Sequence, residues 1–556
     1  MENENKLGHF TPWAKEMYEM HSSRVCNTFI ICGNIGDYAY GMFGLTEYLC
    51  KLFEAEDCFD FTSAIVYDPE REGILAFSKQ IDKFRDQQTS YSKPMTLDDI
   101  CRAMDSSNNG KGDGKAAYII HYPQNTIPNC APSQMKDWQE KNCIRLHRAL
   151  TSKNFFRSES IVVIIAESAS DVNSMFTSSN IKSHTITIPL PNIEERKAFL
   201  QTSINLAQNR KKGFAMDVEL DEFARLTAGL TRQGVEDLIL PSSATNPITK
   251  EDILQKKAQL IDQENSNIIE LLDSSNLCLD DFAGSENIKS YFKEVVIDAI
   301  SNNTTSIIPK GVLLMGPPGT GKSYFARCLA GSAGINFVEF KMSKILDKYL
   351  GVAEKNLEKA FAVFRALAPV CVFVDELDQA LSRGDSSTGA GHVYQNIFGM
   401  FLSELSNPDN RGKIIWLGAT NYPNRIDEAL KRTGRFDKRI PFFAPDDQDR
   451  QSVLKRQIKK IGLPVAENFD FGELAEKIQG FTQAEIEGIV VKATELAIRS
   501  KSKYICSLHF ETALLYMRPA KNVKIEEMEN IALLECNDLE FLSEKMIERR
   551  DALLSS

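Results

Sequence analysis

The chain has no apolar run approaching the roughly 18 residues needed to cross a bilayer. Its first twenty residues, MENENKLGHFTPWAKEMYEM, lack the basic and then apolar blocks of a secretory signal. Both absences lead to the expectation of a cytoplasmic protein without a membrane span. Its twelve cysteines include no CxxC pair. Several, such as Cys328 and Cys371, stand inside apolar runs as small buried hydrophobes, which fits a reducing compartment. Positive charge is in deficit, 65 Lys and Arg against 76 Asp and Glu, for a net charge of −11 and a pI near 5.4. No bulk field draws the protein to nucleic acid, and none is expected as a partner. Metal-ligand spacing is missing too: His121 and Cys143 have no nearby partners. The stretch from Asp105 to Gly110 begins like a calcium loop, but its twelfth position is Ala116 instead of Glu. No peptidase motif is evident. With 556 residues, 43% of them hydrophobic, the chain is long enough for three or four compact units at about 100 to 200 residues each.

The strongest positive signal is GPPGTGKS, residues 316 to 323, entered from the apolar run Gly311 to Met315. Gly316, Gly319 and Gly321, spaced by Pro317, Pro318 and Thr320, let successive backbone N–H groups turn inward around phosphates. Lys322 reaches the outer phosphates and Ser323 offers a hydroxyl to Mg²⁺. A helix starting near Lys322, with Tyr324 in its first turn, adds its positive end. Phe325, Cys328 and Leu329 mark that helix's apolar face, and Gly334 ends it. A nucleoside triphosphate, ATP with Mg²⁺, is the expected ligand.

Downstream, Val370 to Val374 is a continuous apolar run, the pattern of a parallel strand buried on both faces. It ends in Asp375-Glu376. At a strand's carboxyl end Asp375 can organise the metal's water shell and Glu376 can polarise an attacking water. A third buried strand, Ile414 to Leu417, exits through Gly418-Ala419-Thr420 into Asn421. This places Asn421 between the other two strands, where it can hydrogen-bond the water or the terminal phosphate. ALKRTGRFD follows, with Arg432 and Arg435.

In this order, preceded by LDDFAGSENIK and PKGVLLM and followed by GFTQAEIEGIVVKA, the motifs resemble the AAA-family ATPase module of the AAA+ superfamily over residues 277 to 520. The implied fold is the α/β P-loop NTPase fold, a parallel sheet flanked by helices, plus a small helical lid. The resemblance implies a homo-oligomer, usually a hexameric ring, with Arg432 and Arg435 as arginine fingers acting on a neighbouring subunit's nucleotide. Phe282, Ala283 and Gly284 would line the adenine pocket from one side and the lid, through Ala484, from the other. The family commonly has Gly-Ala where this chain has Gln483-Ala484. The lid helix would begin at Thr482, boxed by Glu485, with Ile486, Ile489, Val490 and Ala493 inward. Tyr349, Leu350 and Gly351 resemble a substrate-contacting pore loop, although Val352-Ala353-Glu354 follow where many relatives have Glu-Ser-Glu.

Laid against the second half at an offset of about 250, the first half repeats it. Pro191, Arg196 and Leu200 match Pro445, Arg450 and Leu454; Gly229, Thr231 and Glu236 match Gly480, Thr482 and Glu487. The apolar run 161 to 166 takes the place of IIWLGA, Tyr118 to Ile120 that of the acid-pair strand, and Phe29 to Cys32 that of the first strand. The chemistry is missing. His121-Tyr122 stand in place of Asp375-Glu376, Ser168 in place of Asn421, and Ser178 and Ile181 in place of the arginines. Gly33-Asn34-Ile35-Gly36-Asp37 has no Lys-Ser after it, and no nucleotide is expected there.

The expected order is an N-terminal extension (1–24), a degenerate AAA-like α/β domain (25–200), a helical lid-like region and linker (201–275), the active α/β domain (276–445), its lid (446–520) and a helical tail (521–556). A helix is expected from Thr249 to about Asp273. The tail is expected on the lid or the next subunit, or as a helix that recruits a partner. The leading function is a ring-forming ATPase that remodels, disassembles or unfolds protein targets. The alternative is a nucleotide-controlled scaffold whose slow turnover only switches its binding state.

Overall fold

The computed structural model describes residues 10–78, 95–106, 115–130, 132–177, 181–208, 215–243, 245–264, 268–302, 304–346, 352–380, 389–466, 469–517 and 523–555. Tyr349, Leu350, Gly351, Ser178 and most of the calcium-like loop, including Gly110, lie outside them. The chain divides into two compact units, Met1–Ile253 and Leu254–Ser556. Among the described residues no helix is long and apolar enough to cross a membrane.

In the first unit the strands of the main sheet are β1 (Thr28–Gly33), β2 (Ser63–Asp68), β3 (Glu72–Ser78), β4 (Ala116–His121), β5 (Ile161–Ile165) and β6 (Ser183–Ile188). They form one sheet in the order β3-β2-β4-β5-β1-β6, parallel except for the β2-β3 hairpin. The run Ile161 to Ile165 is buried at every position because both faces are covered. Ile161, Val163 and Ile165 pack with Phe29 and Phe53 on one side, and Val162 and Ile164 with Leu146 and Phe155 on the other. The helices Ile193–Gln208, Leu220–Leu226 and Arg232–Ile239 follow the sheet, and the boundary between the units falls within the helix Lys250–Glu264.

The second unit adds β7 (Ile269–Leu272), β8 (Gly311–Met315), β9 (Asn336–Phe340), β10 (Val370–Val374), β11 (Ile414–Thr420) and β12 (Phe436–Pro441). Its sheet order, β7-β9-β10-β11-β8-β12, reproduces the first strand for strand, again with one antiparallel edge. The edge strand comes from a different place in the chain: β3 follows its neighbour through a hairpin, whereas β7 precedes its module. Four helices, Asp447–Ile461, Phe471–Lys477, Gln483–Arg499 and Ser507–Tyr516, build the lid. Ile486, Ile489, Val490 and Ala493 pack inside it, and Thr482 accepts from the Glu485 N–H while the Glu485 carboxylate accepts from the Thr482 N–H.

The repeat extends to hydrogen bonds. Arg196 donates to the carbonyls of Pro191 and Ala224, and Arg450 to those of Pro445 and Ala475 (Nη1 to Pro445, 2.8 Å; Nε to Ala475, 2.8 Å). Gly229 and Gly480 take φ of +87° and +81°, just before the capping threonines Thr231 and Thr482.

Two expectations are corrected. The helix after Thr249 is described over Lys250–Glu264, and Ile269–Leu272 is a strand instead of its continuation, because Ile268 and Ile269 bury against the edge of β9 and the Ile268 carbonyl accepts from the Lys341 N–H. The tail packs on its own α/β domain instead of the lid: Leu533, Cys536, Phe541 and Leu542 join the core that contains Phe292, Phe325 and Phe442.

Candidate nucleotide site

The loop between β8 and the helix Lys322–Ala333 is shaped by glycines that nothing else could replace. Gly316 has φ +137°, and a Cβ there would stand 2.0 Å from the Phe442 carbonyl oxygen. Gly321 has φ +88°, and its Cβ would meet Gln483 at 2.5 Å and the Phe282 ring at 2.9 Å. The helix ends at Gly334 in the left-handed region. Thr320 is buried and donates to the Pro317 carbonyl at 2.9 Å.

Lys322 is buried inside this loop. Its Nζ donates to the carbonyls of Gly316 and Pro317, each at 2.8 Å, and to Asn421 Oδ1 at 2.9 Å. Burial pulls its pKa down to about 8, against the opposing pull of Asp375 and Asp378. The Asn421 contact exists because β11 lies between β8 and β10, so its carboxyl end opens beside the loop. Ser323 Oγ donates to Asp375 Oδ2 at 3.2 Å. A hydroxyl and a carboxylate side by side are the hard oxygen donors that suit Mg²⁺. Glu376, with φ +48°, turns out of the end of β10, and its N–H donates to Asp375 Oδ1 at 2.8 Å. Behind them Thr420 donates to the buried Asp378 at 2.7 Å.

A cleft of about 380 Å³ joins these groups to the lid. Ala283, Pro318, Gly319, Tyr324 and Ala484 line it with Lys322, Ser323, Asp375, Glu376 and Asn421. The Ala484 N–H donates to the Gly319 carbonyl at 3.0 Å, and Gln483 reaches the Ala283 carbonyl at 3.4 Å.

Phe282 and Gly284 are placed differently from the expectation. Phe282 is 1% exposed and packs edge-on to Phe325 and Phe442 beneath the loop, so it supports Gly321 instead of lining the pocket. Gly284, φ +84°, lies under the Asp449 carboxylate. Arg432 is exposed and outside the cleft; Arg435 is half-buried and donates to the Ala429 carbonyl. Neither reaches this chain's own pocket.

The sequence reading missed the lid helix Asp447–Ile461 as a wall. Val453, Gln457 and Lys460 line the cleft at i, i+4 and i+7, a spacing that was there to be read. Arg456 joins them, donating to the Tyr324 hydroxyl and lying over its ring at 5.1 Å.

In the first unit Ile181 is buried, Ser168 caps a short 3₁₀ turn through its own Oγ, and Tyr122, the second residue of the substituted pair, has φ +52°, close to that of Glu376. Among the described residues no group of three His, Cys, Asp or Glu is assembled to hold a metal ion.

Residues 312–443 match the family described as ATPase family associated with various cellular activities (AAA). Residues 4–189 match the AAA+ chaperone, N-terminal Rossmann-like domain, and 194–266 the AAA+ chaperone, second helical domain. The cell division cycle protein 48 homolog of Archaeoglobus fulgidus is 30% identical over 379 residues, 60% of this chain and 50% of that protein. An ATP-dependent zinc metalloprotease FtsH of Pelobacter propionicus is 35% identical over 247 residues, 43% of this chain and 39% of that protein. The human ATPase family gene 2 protein homolog A is 33% identical over 279 residues, 49% of this chain and 31% of that protein. The chain spans half or less of the length of each of these three relatives.

Proposed function

Since this chain belongs to the AAA+ ATPases, we propose that its second unit hydrolyses Mg²⁺-ATP and that rings of the chain use the cycle to remodel, disassemble or unfold proteins. The observation that carries the reading is the Lys322–Asn421 contact beside the Ser323–Asp375 contact, which gathers groups from the ends of three adjacent strands onto one cleft. Lys322 and the loop N–H groups bind phosphate. Ser323 and Asp375 hold Mg²⁺, which supplies charge neutralisation at the phosphates. Glu376 takes the water's proton and Asn421 orients the water against the terminal phosphate. Arg432 and Arg435 lie outside their own pocket, as residues that serve a neighbour's would.

The test is Glu376→Gln, which should bind ATP yet hardly cleave it. Loaded with Mg²⁺-ATP and recovered from its host lysate beside wild type, it should be a ring holding proteins absent from the wild-type sample. A monomer, or a ring with nothing enriched, would contradict remodelling and favour the nucleotide-controlled scaffold.

A further inference from the structure

The segment that carries Arg432 is a chain of turns between β11 and β12, with Gly434 at φ +88°. A finger that must meet another subunit's phosphate loses rate when it is misplaced by as little as about 1 Å. The rigidity of this segment therefore has to come from outside it, and the C-terminal tail is where the contacts lead.

Lys431, next to Arg432, has a side chain only 3% exposed and binds two carboxylates: Glu428 Oε1 at 3.0 Å and Glu535 Oε1 at 2.9 Å. Glu428 belongs to the same run of turns and is 80% exposed, so it gives Lys431 no anchor outside the segment. Glu535 ends the helix Val523–Glu535, whose Leu533 is in the core, as is Cys536 just after it. Its other oxygen, Oε2, accepts from Arg439 Nη1 at 3.0 Å, so one carboxylate ties the finger segment to β12. The residues around it continue the seam. The Asn537 amide accepts from the Arg439 N–H and donates to the Asp437 carbonyl, both at 2.8 Å, answering the free backbone of edge strand β12 as another strand would. Asp538 accepts from Lys438 at 2.5 Å, and Glu529 from the Ala444 N–H at 3.0 Å.

We infer that the C-terminal segment 529–538 is the positioning element of the arginine finger, and that Glu535, through Lys431, sets where Arg432 is presented to the neighbouring subunit. This rests on the reading that Arg432 acts in trans. Glu535 does not line its own subunit's cleft. Its loss should therefore leave binding in cis intact and lower turnover in the neighbour.

The experiment uses full-length chains in mixed rings. Glu535→Gln alone should lower kcat roughly 10- to 100-fold, with ATP affinity unchanged. Mixing it with Glu376→Gln, whose pocket is dead but whose finger is intact, should restore turnover at the Glu535→Gln pockets. The control pair, Arg432→Ala with Glu376→Gln, should recover in the same way. If the control pair fails to recover, the trans reading is wrong and the inference falls with it. If the control recovers while Glu535→Gln keeps wild-type kcat, or is not rescued by mixing, the inference alone is overturned. Should Glu535→Gln unfold, Glu535→Gln with Lys431→Met removes the buried Lys431 charge together with its partner and is put through the same mixing, with the same rescue expected and its absence overturning the inference.

Discussion

The two units share a sheet order, a lid arginine with the same carbonyl partners and a capped lid helix, and differ in what fills the space between loop and lid. In the second unit the loop after β8 keeps Lys322 and leaves a cleft of about 380 Å³. In the first, the loop after β1 sends Asp37 into the same region. Its buried carboxylate accepts from the N–H groups of Arg232 at 2.9 Å and Gln233 at 3.0 Å, the first two residues of the lid helix. Arg232 Nη1 donates back to the Tyr38 carbonyl at 2.7 Å, and the Tyr38 hydroxyl to Glu236 at 2.9 Å. The start of the second unit's lid helix is met by a neutral acceptor, the Gly319 carbonyl that takes the Ala484 N–H, whereas the first unit's is met by a carboxylate. The teaching of the pair is that the same frame can tie its loop to its lid helix through an internal carboxylate, as at Asp37, or leave a cleft between them, as at Lys322.

Substitutions can break the comparison, and the largest effect is expected at Lys322. Lys322→Ala should abolish ATP binding by the whole chain in equilibrium titration, because the latched first unit has nothing to substitute for it. Arg432→Ala should come next, lowering steady-state turnover about 10³-fold in assembled protein while ATP affinity stays at the wild-type level. Asp37→Ala leaves two helix N–H groups without their acceptor, while Arg232 keeps Glu195 and the Tyr38 carbonyl. It should destabilise the first unit by roughly 1 to 3 kcal/mol in urea unfolding, with ATP binding at the second unit unchanged.

A pH series sharpens the same contrast. In the empty site Lys322 is charged below its pKa of about 8 and neutral above it. Phosphate needs the charged form, so binding above pH 8 requires proton uptake and affinity should fall from pH 7 to pH 9.5, by at most about tenfold per unit. Folding stability of the empty protein has the opposite slope. The lysine pKa lies below its ordinary 10.5, so this group's penalty is fully present below pH 8 and is relieved as pH rises towards 10.5. The smallest effect is expected for Gln483→Gly: freeing the Ala283 carbonyl should change ATP affinity only a few-fold, read by competition between ATP and GTP.

Much of the second unit was legible because its chemistry is tied to spacing. GPPGTGKS cannot be built without its glycines, and Val370 to Val374 and Ile414 to Leu417 are continuous because they are buried on both faces. The repeat was legible because Arg196 and Arg450 occupy equivalent positions as buried cations held by carbonyls. The edge strand β7 was not, because Ile268, Ile269, Leu271 and Leu272 satisfy helical and strand spacing alike and only the neighbouring β9 decides. Glu535 and Asp538 carried no local signal, since the cations they meet lie about 100 residues away. Asp37 read only as the absence of a Lys-Ser pair. Its role depends on Arg232 and Gln233, which no local pattern connects to it.

The most direct test of one open and one latched module is the number of ATP molecules bound per chain, measured by calorimetric titration of a non-hydrolysable ATP analogue with Mg²⁺ into full-length protein and its Lys322→Ala variant. The account predicts one site per chain in the wild type and none in the variant. A second site that survives Lys322→Ala would contradict it and would mean that Asp37 yields to a nucleotide after all.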